Sequence, residues 1–106
     1  MIQCEVTSVS PERISVRLTG ALIHGEEASQ VRNWLRPLAE RFQHVVVDLS
    51  SLARIDSTGV GELVMAHAAA GAGGHELQVV NAAGTVREVL LLVKLLTVLG
   101  PGEAAA

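Results

Sequence analysis

The sequence has 106 residues, of which 49% are hydrophobic and 2% aromatic, and its formal net charge is −3. This length and composition favour a single folded domain with an aliphatic core and exclude a disordered chain. The acidic balance argues against nucleic acid or an anionic membrane as a partner. The single cysteine, Cys4, cannot form an internal disulfide, and residues 1–5 lack the basic start of a secretory signal, so we expect a cytoplasmic protein.

Two strands are predicted at the start of the chain. Residues 2–9 are rich in β-branched side chains, and residues 13–19 alternate between apolar and polar side chains. The turn signal Ser10-Pro11-Glu12 lies between them. The two segments therefore predict a β-hairpin, and we expect Gly20 to end its second strand.

The hydrophobic period then changes to that of an amphipathic helix. From Gly25 onward, apolar residues recur three or four positions apart. These residues are Ala28, Val31, Leu35, Leu38 and Phe42. Pro37 lies inside the pattern, and a proline there removes one backbone hydrogen bond and clashes with the preceding turn. We expect a kink at Pro37 or a break into two short helices.

A buried strand and a second helix follow. The apolar run Val45-Val46-Val47 is typical of a central strand buried on both faces, and it leads into Asp48-Leu49. Residues 50–55 are predicted to form a loop. Helical spacing begins again after Asp56, and Gly71 to Gly74 is a plausible end for that helix.

The remaining residues predict one more strand, a third helix and a last strand. Residues 77–80 form the strand, the spacing of Thr85 and Glu88 is that of a capping box, and residues 95–99 are the candidate last strand. We expect one domain over residues 1–100 and a disordered tail over residues 101–106. The order β-β-α-β-α-β-α-β predicts an α/β fold with a mixed sheet of four to five strands.

The stretch with the most functional information is VVVDLSSLARIDSTGVGELV, residues 45–64. Asp56, Ser57 and Thr58 stand at the start of the second predicted helix, where unpaired backbone N–H groups favour a phosphate. Gly59 and Gly61 would let the backbone of another protein approach closely. On spacing alone, the commoner role of such polar residues is to cap the helix.

No catalytic or metal-binding set emerges from the other residues. The four histidines have no metal-ligand spacing, and turn or capping roles are the commoner ones for Asp48 and Asp56. The glycines at 71–74 follow a helix instead of opening one, which argues against a phosphate-binding loop. Cys4 has no evident neighbouring base. We therefore expect a protein that is not an enzyme and that binds no cofactor and no metal.

The segment from Asp48 to Gly61 resembles the signature of STAS domains. In that family a strand ends in Asp-Leu-Ser, and a short loop leads to Asp-Ser-Ser-Gly or Asp-Ser-Thr-Gly before a helix. The corresponding residues here are Asp48-Leu49-Ser50 and Asp56-Ser57-Thr58-Gly59. Residues 16–20, 73–82 and 86–95 are also similar to family segments. The resemblance covers nearly the whole chain and implies a STAS-like mixed sheet with helices packed mainly on one face.

Within that family the chain looks like the bacterial anti-sigma factor antagonists. The resemblance implies that Ser57 is the phosphoacceptor of an anti-sigma factor that is also a serine kinase. It further implies that Asp56, Ser57, Thr58, Gly59 and Gly61 form the partner-binding surface. The unphosphorylated antagonist would bind the kinase and free the sigma factor, and a serine phosphatase would reset the switch.

One departure from the family pattern keeps a second function open. Antagonists often carry Gly-x-Leu-Asp after the second strand, whereas this chain has Gly20-Ala21-Leu22-Ile23 and lacks that carboxylate. A constitutive STAS adaptor or scaffold subunit, in a signalling or transporter complex, is therefore the alternative. An enzyme or small-molecule binder would require a substantial pocket with convergent polar groups.

Overall fold

A computed structural model describes residues 1–92, which form four strands and three helices. The elements in chain order are β1 (Ile2–Val9), β2 (Arg13–Leu22), α1 (Glu26–Arg41), β3 (His44–Ile55), α2 (Ser57–Ala72), β4 (Glu76–Val80) and α3 (Gly84–Leu92). The predicted strand over residues 95–99 and the predicted tail over residues 101–106 lie outside the described residues.

The four strands form one mixed sheet in the order β1-β2-β3-β4. β1 pairs with β2 in antiparallel orientation, while β3 lies parallel to both β2 and β4. The predicted hairpin and the predicted mixed sheet are therefore confirmed. Because parallel neighbours end at the same edge of a sheet, the last residues of β2 and β3, Leu22 and Ile55, are paired.

One face of the sheet carries the core. Val16, Val47 and Val79 are paired across three strands and have no exposed surface. They join one apolar cluster with buried residues of all three helices, so the helices pack on the core together. The opposite face is more open, and Val46 there is only half-buried. The prediction that this strand is buried on both faces is wrong.

Two strands are longer than the sequence predicts. β2 continues past Gly20 to Leu22, and β3 includes residues 50–55, for which the sequence predicts a loop. The two extensions pair with each other, with register shifts that mark bulges. Gly20 lies inside the strand with a φ of 111°, and a Cβ atom there would lie 2.4 Å from the carbonyl oxygen of Met1.

The first helix is continuous through Pro37. The predicted break is wrong. Pro37 cannot donate to the carbonyl of Asn33, but both residues are exposed, so water can bond to that carbonyl instead. The apolar face of the helix remains buried in the core, including Leu35 and Ala39 on either side of Pro37.

The other two helices differ in how well their ends were predicted. Gly73 is the C-terminal cap of α2, which confirms the predicted end. α3 begins at Gly84, with the carbonyl of Ala83 accepting from the amide of Arg87 at 3.3 Å. Thr85 is therefore inside the first turn and not at the predicted capping position.

Within residues 1–92, no helix combines the length and apolar character that a bilayer crossing requires.

Candidate functional site

The candidate site lies at the edge of the sheet where β2 and β3 end. Asp56 directly follows β3, and Ser57 is the first residue of α2. The backbone amide of Asp56 donates to the carbonyl oxygen of Leu22 at 3.3 Å, which ties the ends of the two strands together. The carboxyl edge of a parallel sheet is where open α/β folds commonly bind their ligands.

The carboxylate of Asp56 accepts hydrogen bonds from two different elements. Its Oδ1 accepts from the backbone amide of Gly59 at 2.9 Å, which caps α2, and its Oδ2 accepts from the backbone amide of His24 at 2.8 Å. The bond from Gly59, followed by the bond from His24, lowers the pKa of Asp56 below its ordinary value. The carboxylate is therefore ionised at neutral pH.

Ser57 is exposed, and the next residue, Thr58, is half-buried. Ser57 stands at the positive end of a 16-residue helix. A phosphoryl group on its hydroxyl would not find the amide of Gly59 free, because Asp56 already accepts from it. The group would stand at the exposed start of α2 beside an ionised carboxylate.

The two glycines of the signature occupy different environments. Gly59 is buried, and a Cβ atom built on it would lie 2.3 Å from the carbonyl oxygen and 2.8 Å from Cγ of Leu22. Gly61 is half-buried, and a Cβ atom there would meet nothing within 4 Å. Gly59 is therefore required by packing within the chain, whereas Gly61 leaves open space on the surface of α2.

The sequence pattern did not predict a second polar contact near this site, the ion pair between Arg32 and Glu62. Arg32 of α1 donates through Nε and Nη2 to the carboxylate of Glu62 on α2, with the shortest distance 2.6 Å. The Glu62 side chain is only 9% exposed and that of Arg32 is 51% exposed. A glutamate in the interior face of a helix as apolar as α2 is the signal that could have indicated a buried ion pair.

Asp48 does not belong to this site, because it precedes Asp56 by eight residues of extended strand, or about 25 Å. Its Oδ1 accepts from the amide of Ser50 at 2.8 Å and from Asn81 at 3.4 Å, and its Oδ2 lies 3.5 Å from Nε of Arg17. Burial raises the pKa of Asp48, but the bonds from Ser50, Asn81 and Arg17 bring it below its ordinary value.

Residues 1–92 contain surface cavities but no cluster of metal-ligating side chains. Groups of three or more His, Cys, Asp or Glu side chains that could hold a metal ion are absent from this part of the chain. Two surface cavities lie away from the site. One is lined by residues that include Arg13, His44 and Glu76, and the other by residues that include Cys4 and Trp34.

Comparison with known proteins supplies the family and the fold. A family model described as "Mlab, STAS domain" matches residues 6–100. No curated protein sequence matches the chain.

Three solved structures represent the structural matches. An anti-sigma factor antagonist from Mycobacterium paratuberculosis has a TM-score of 0.78 at 19% identity over 95% of this chain and 84% of that chain. The Bacillus protein SpoIIAA in its phosphorylated form has a TM-score of 0.72 at 21% identity over 92% and 88%. The STAS domain of a SulP transporter from Vibrio cholerae has a TM-score of 0.66 at 16% identity over 92% and 75%. Antagonists and a transporter domain therefore share this fold.

Proposed function

Because the chain belongs to the STAS domain family, we propose that it is an anti-sigma factor antagonist of the cytoplasm. It sequesters a serine-kinase anti-sigma factor while Ser57 is unphosphorylated, and a serine phosphatase restores that state. The observation that carries the proposal is the placement of Ser57, which is exposed at the first position of α2 beside the ionised Asp56.

The exposure of the two hydroxyl residues favours Ser57 as the phosphoacceptor. A kinase must reach the hydroxyl oxygen with the γ-phosphate of ATP. Ser57 is exposed, whereas Thr58 is half-buried. Transfer to Ser57 therefore requires less movement of α2 than transfer to Thr58 would.

The proposed switch acts at the partner-binding surface. Asp56, Ser57, Thr58 and Gly61 form this surface, and Gly59 lies beneath it against Leu22. Phosphorylation adds about 1.5 to 2 negative charges and a bulky group at one point. A closely packed partner would meet the added bulk and would have to desolvate the phosphate charge next to that of Asp56. The fold itself need not change.

Mass spectrometry tests the phosphoacceptor. The chain is incubated with ATP and each serine-kinase anti-sigma factor of the source organism, followed by intact-mass measurement and residue mapping. We expect one phosphate at Ser57, its loss in Ser57→Ala, and its retention in Thr58→Ala and in Ser51→Ala, a control at another exposed serine. A phosphate that persists in Ser57→Ala would show that the site is wrong.

Affinity measurement tests the switch. We expect Ser57→Ala to bind the kinase as the unmodified chain does. We expect Ser57→Asp to bind at least about tenfold more weakly, because a closely packed interface would have to desolvate the added charge. The measurement is titration of each variant with the purified kinase. Equal affinities of the two variants would contradict control by charge at this position.

A constitutive adaptor is the second candidate. It is favoured by Ile23, which is apolar and half-buried beside the site, where the antagonist pattern has a carboxylate. The fold is also shared by a transporter STAS domain. Stable binding of a partner that is unchanged in both Ser57→Ala and Ser57→Asp, together with no phosphate on the chain, would favour the adaptor.

A further inference from the structure

The loop between β2 and α1, residues 23–25, is held against the start of α2. The amide of His24 donates to Oδ2 of Asp56 at 2.8 Å. Leu22, the last residue before the loop, accepts from the amide of Asp56 at 3.3 Å through its carbonyl oxygen. Gly59 lies so close to Leu22 that no side chain fits between them. The loop and the phosphoacceptor end of α2 are thus in direct contact, although 32 residues separate His24 from Asp56.

The same loop is also bonded to the first turn of α1. Gly25 is the N-terminal cap residue of α1, has a φ of 105°, and provides no side-chain hydrogen bond to that helix. The carbonyl oxygens of Ile23 and Gly25 accept from the first turn of α1 at 3.1 Å each. The bond from His24 joins the loop to Asp56, the cap residue of α2.

Capping alone does not explain an aspartate at position 56. Serine and asparagine cap helices about as well as aspartate does. Each of them, however, offers one side-chain oxygen, whereas a carboxylate offers two. Asp56 uses one oxygen for the amide of Gly59 and the other for the amide of His24. The second bond uses an oxygen that a serine or asparagine cap does not have.

We infer that Asp56 is a positioning residue that clamps the loop of residues 23–25 to the first turn of α2, so that the exposed His24 forms a second edge of the partner-binding surface around Ser57. This inference rests on the proposed function for the identity of the partner. The clamp itself is a property of the chain and can be measured without any partner.

Amide hydrogen exchange in the full chain tests the clamp. The serine hydroxyl in Asp56→Ser can keep the cap but cannot reach both amides. We expect the amide of His24 to exchange about tenfold faster in this variant, because it loses one hydrogen bond to a charged group. The exchange of the Gly59 amide should change little, because the cap is kept. His24→Ala keeps its backbone N–H, so its residue-24 amide should retain its protection. Unchanged exchange of the His24 amide in Asp56→Ser would overturn the clamp.

Affinity for the kinase that phosphorylates Ser57 tests the surface. We expect His24→Ala, in which the clamp is intact, to bind that kinase several-fold more weakly than the unmodified chain. His44→Ala is the matched control, because His44 is also exposed but stands at the opposite end of β3. Equal affinities of His24→Ala and His44→Ala for the kinase would show that the loop is not part of the partner-binding surface. If no kinase acts on the chain, the proposed function fails, and the exchange experiment still decides the clamp.

Discussion

At the scale of single residues, Gly59 and Gly61 give a matched pair of substitutions with opposite expected signs. A Cβ atom at 59 would overlap the carbonyl oxygen of Leu22, whereas one at 61 would meet open space. We expect Gly59→Ala to lower the free energy of unfolding by about 1–3 kcal/mol through overpacking. We expect Gly61→Ala to raise it by about 0.5–1 kcal/mol, because alanine is the better helix former. Urea denaturation measures both, and equal effects would contradict the packing at Gly59.

Asp56 also predicts a dependence of stability on pH. Its pKa in the folded chain is lowered by the amides of Gly59 and His24, whereas in the unfolded chain it returns to about 3.9. Its contribution to stability is therefore complete above about pH 4 and is lost as the pH falls through the lowered folded-state pKa. We expect Asp56→Asn to be less stable than the unmodified chain at pH 7, with a difference that shrinks toward pH 2. A difference that stays constant between pH 7 and pH 2 would contradict this role.

The sequence predicted Asp56 and Ser57 at a helix start because capping chemistry is local. It did not predict the contacts of Leu22 and His24, since these come from a strand end far away in the chain. The parallel pairing of β2 with β3 brings them together. For the same reason, Gly59 could be interpreted as space for a partner until its neighbour within the chain was known.

At the scale of elements, the Arg32 and Glu62 pair connects α1 to α2. Glu62 is nearly buried, so removing Arg32 leaves a carboxylate with little access to water. We expect Arg32→Ala to lower the free energy of unfolding clearly more than Arg54→Ala, a control at another exposed arginine. Thermal or urea unfolding of the two variants provides the comparison. Similar losses in both would show that the pair contributes nothing beyond a surface arginine.

The ends of β2 and β3 could not be predicted from the sequence pattern. Leu49, Leu52 and Ile55 are buried at a spacing of three, not two, because register shifts interrupt the pairing with β2. Such a spacing does not resemble a strand, so the sequence predicts a loop there. A bulge is fixed by the neighbouring strand, and the residues that contain it give no separate signal.

At the scale of the whole molecule, one apolar cluster includes buried residues from every strand and helix among residues 1–92. We therefore expect cooperative two-state unfolding. Trp34 is the only tryptophan and packs against the cluster, so its fluorescence reports on α1 while far-UV circular dichroism reports on all the helices. The two signals should give the same urea midpoint. Separate midpoints would show that α1 unfolds independently.

The same cluster predicts the effect of a core truncation. Leu63 of α2 has no exposed surface. We expect Leu63→Ala to lower the free energy of unfolding by about 2–5 kcal/mol and to shift the fluorescence and dichroism transitions together. A change in the dichroism transition alone would show that α2 does not share a cooperative core with α1.

The overall architecture was the most predictable level of the structure. The change from a period of two to a period near 3.6 marks where strands give way to helices, and alternating strands and helices require parallel crossovers. The motif at residues 48–59 then indicated the family. What the pattern could not show was the one-sided burial of β3, because an apolar run such as 45–47 is compatible with one or two covered faces.

The parallel crossovers have a further electrostatic consequence. α1 and α2 both start at the edge where β2 and β3 end, so their positive helix ends point the same way, each equivalent to about half a charge. Three carboxylates, those of Glu26, Glu27 and Asp56, stand at the same edge, and the amino group of Met1 pairs with Glu27 at 2.7 Å. The exposed guanidinium of Arg54 stands at the end of β3 as well, so the charges of this edge nearly cancel. A phosphate on Ser57 would make the edge clearly acidic, and a partner would distinguish the two states by charge and by shape.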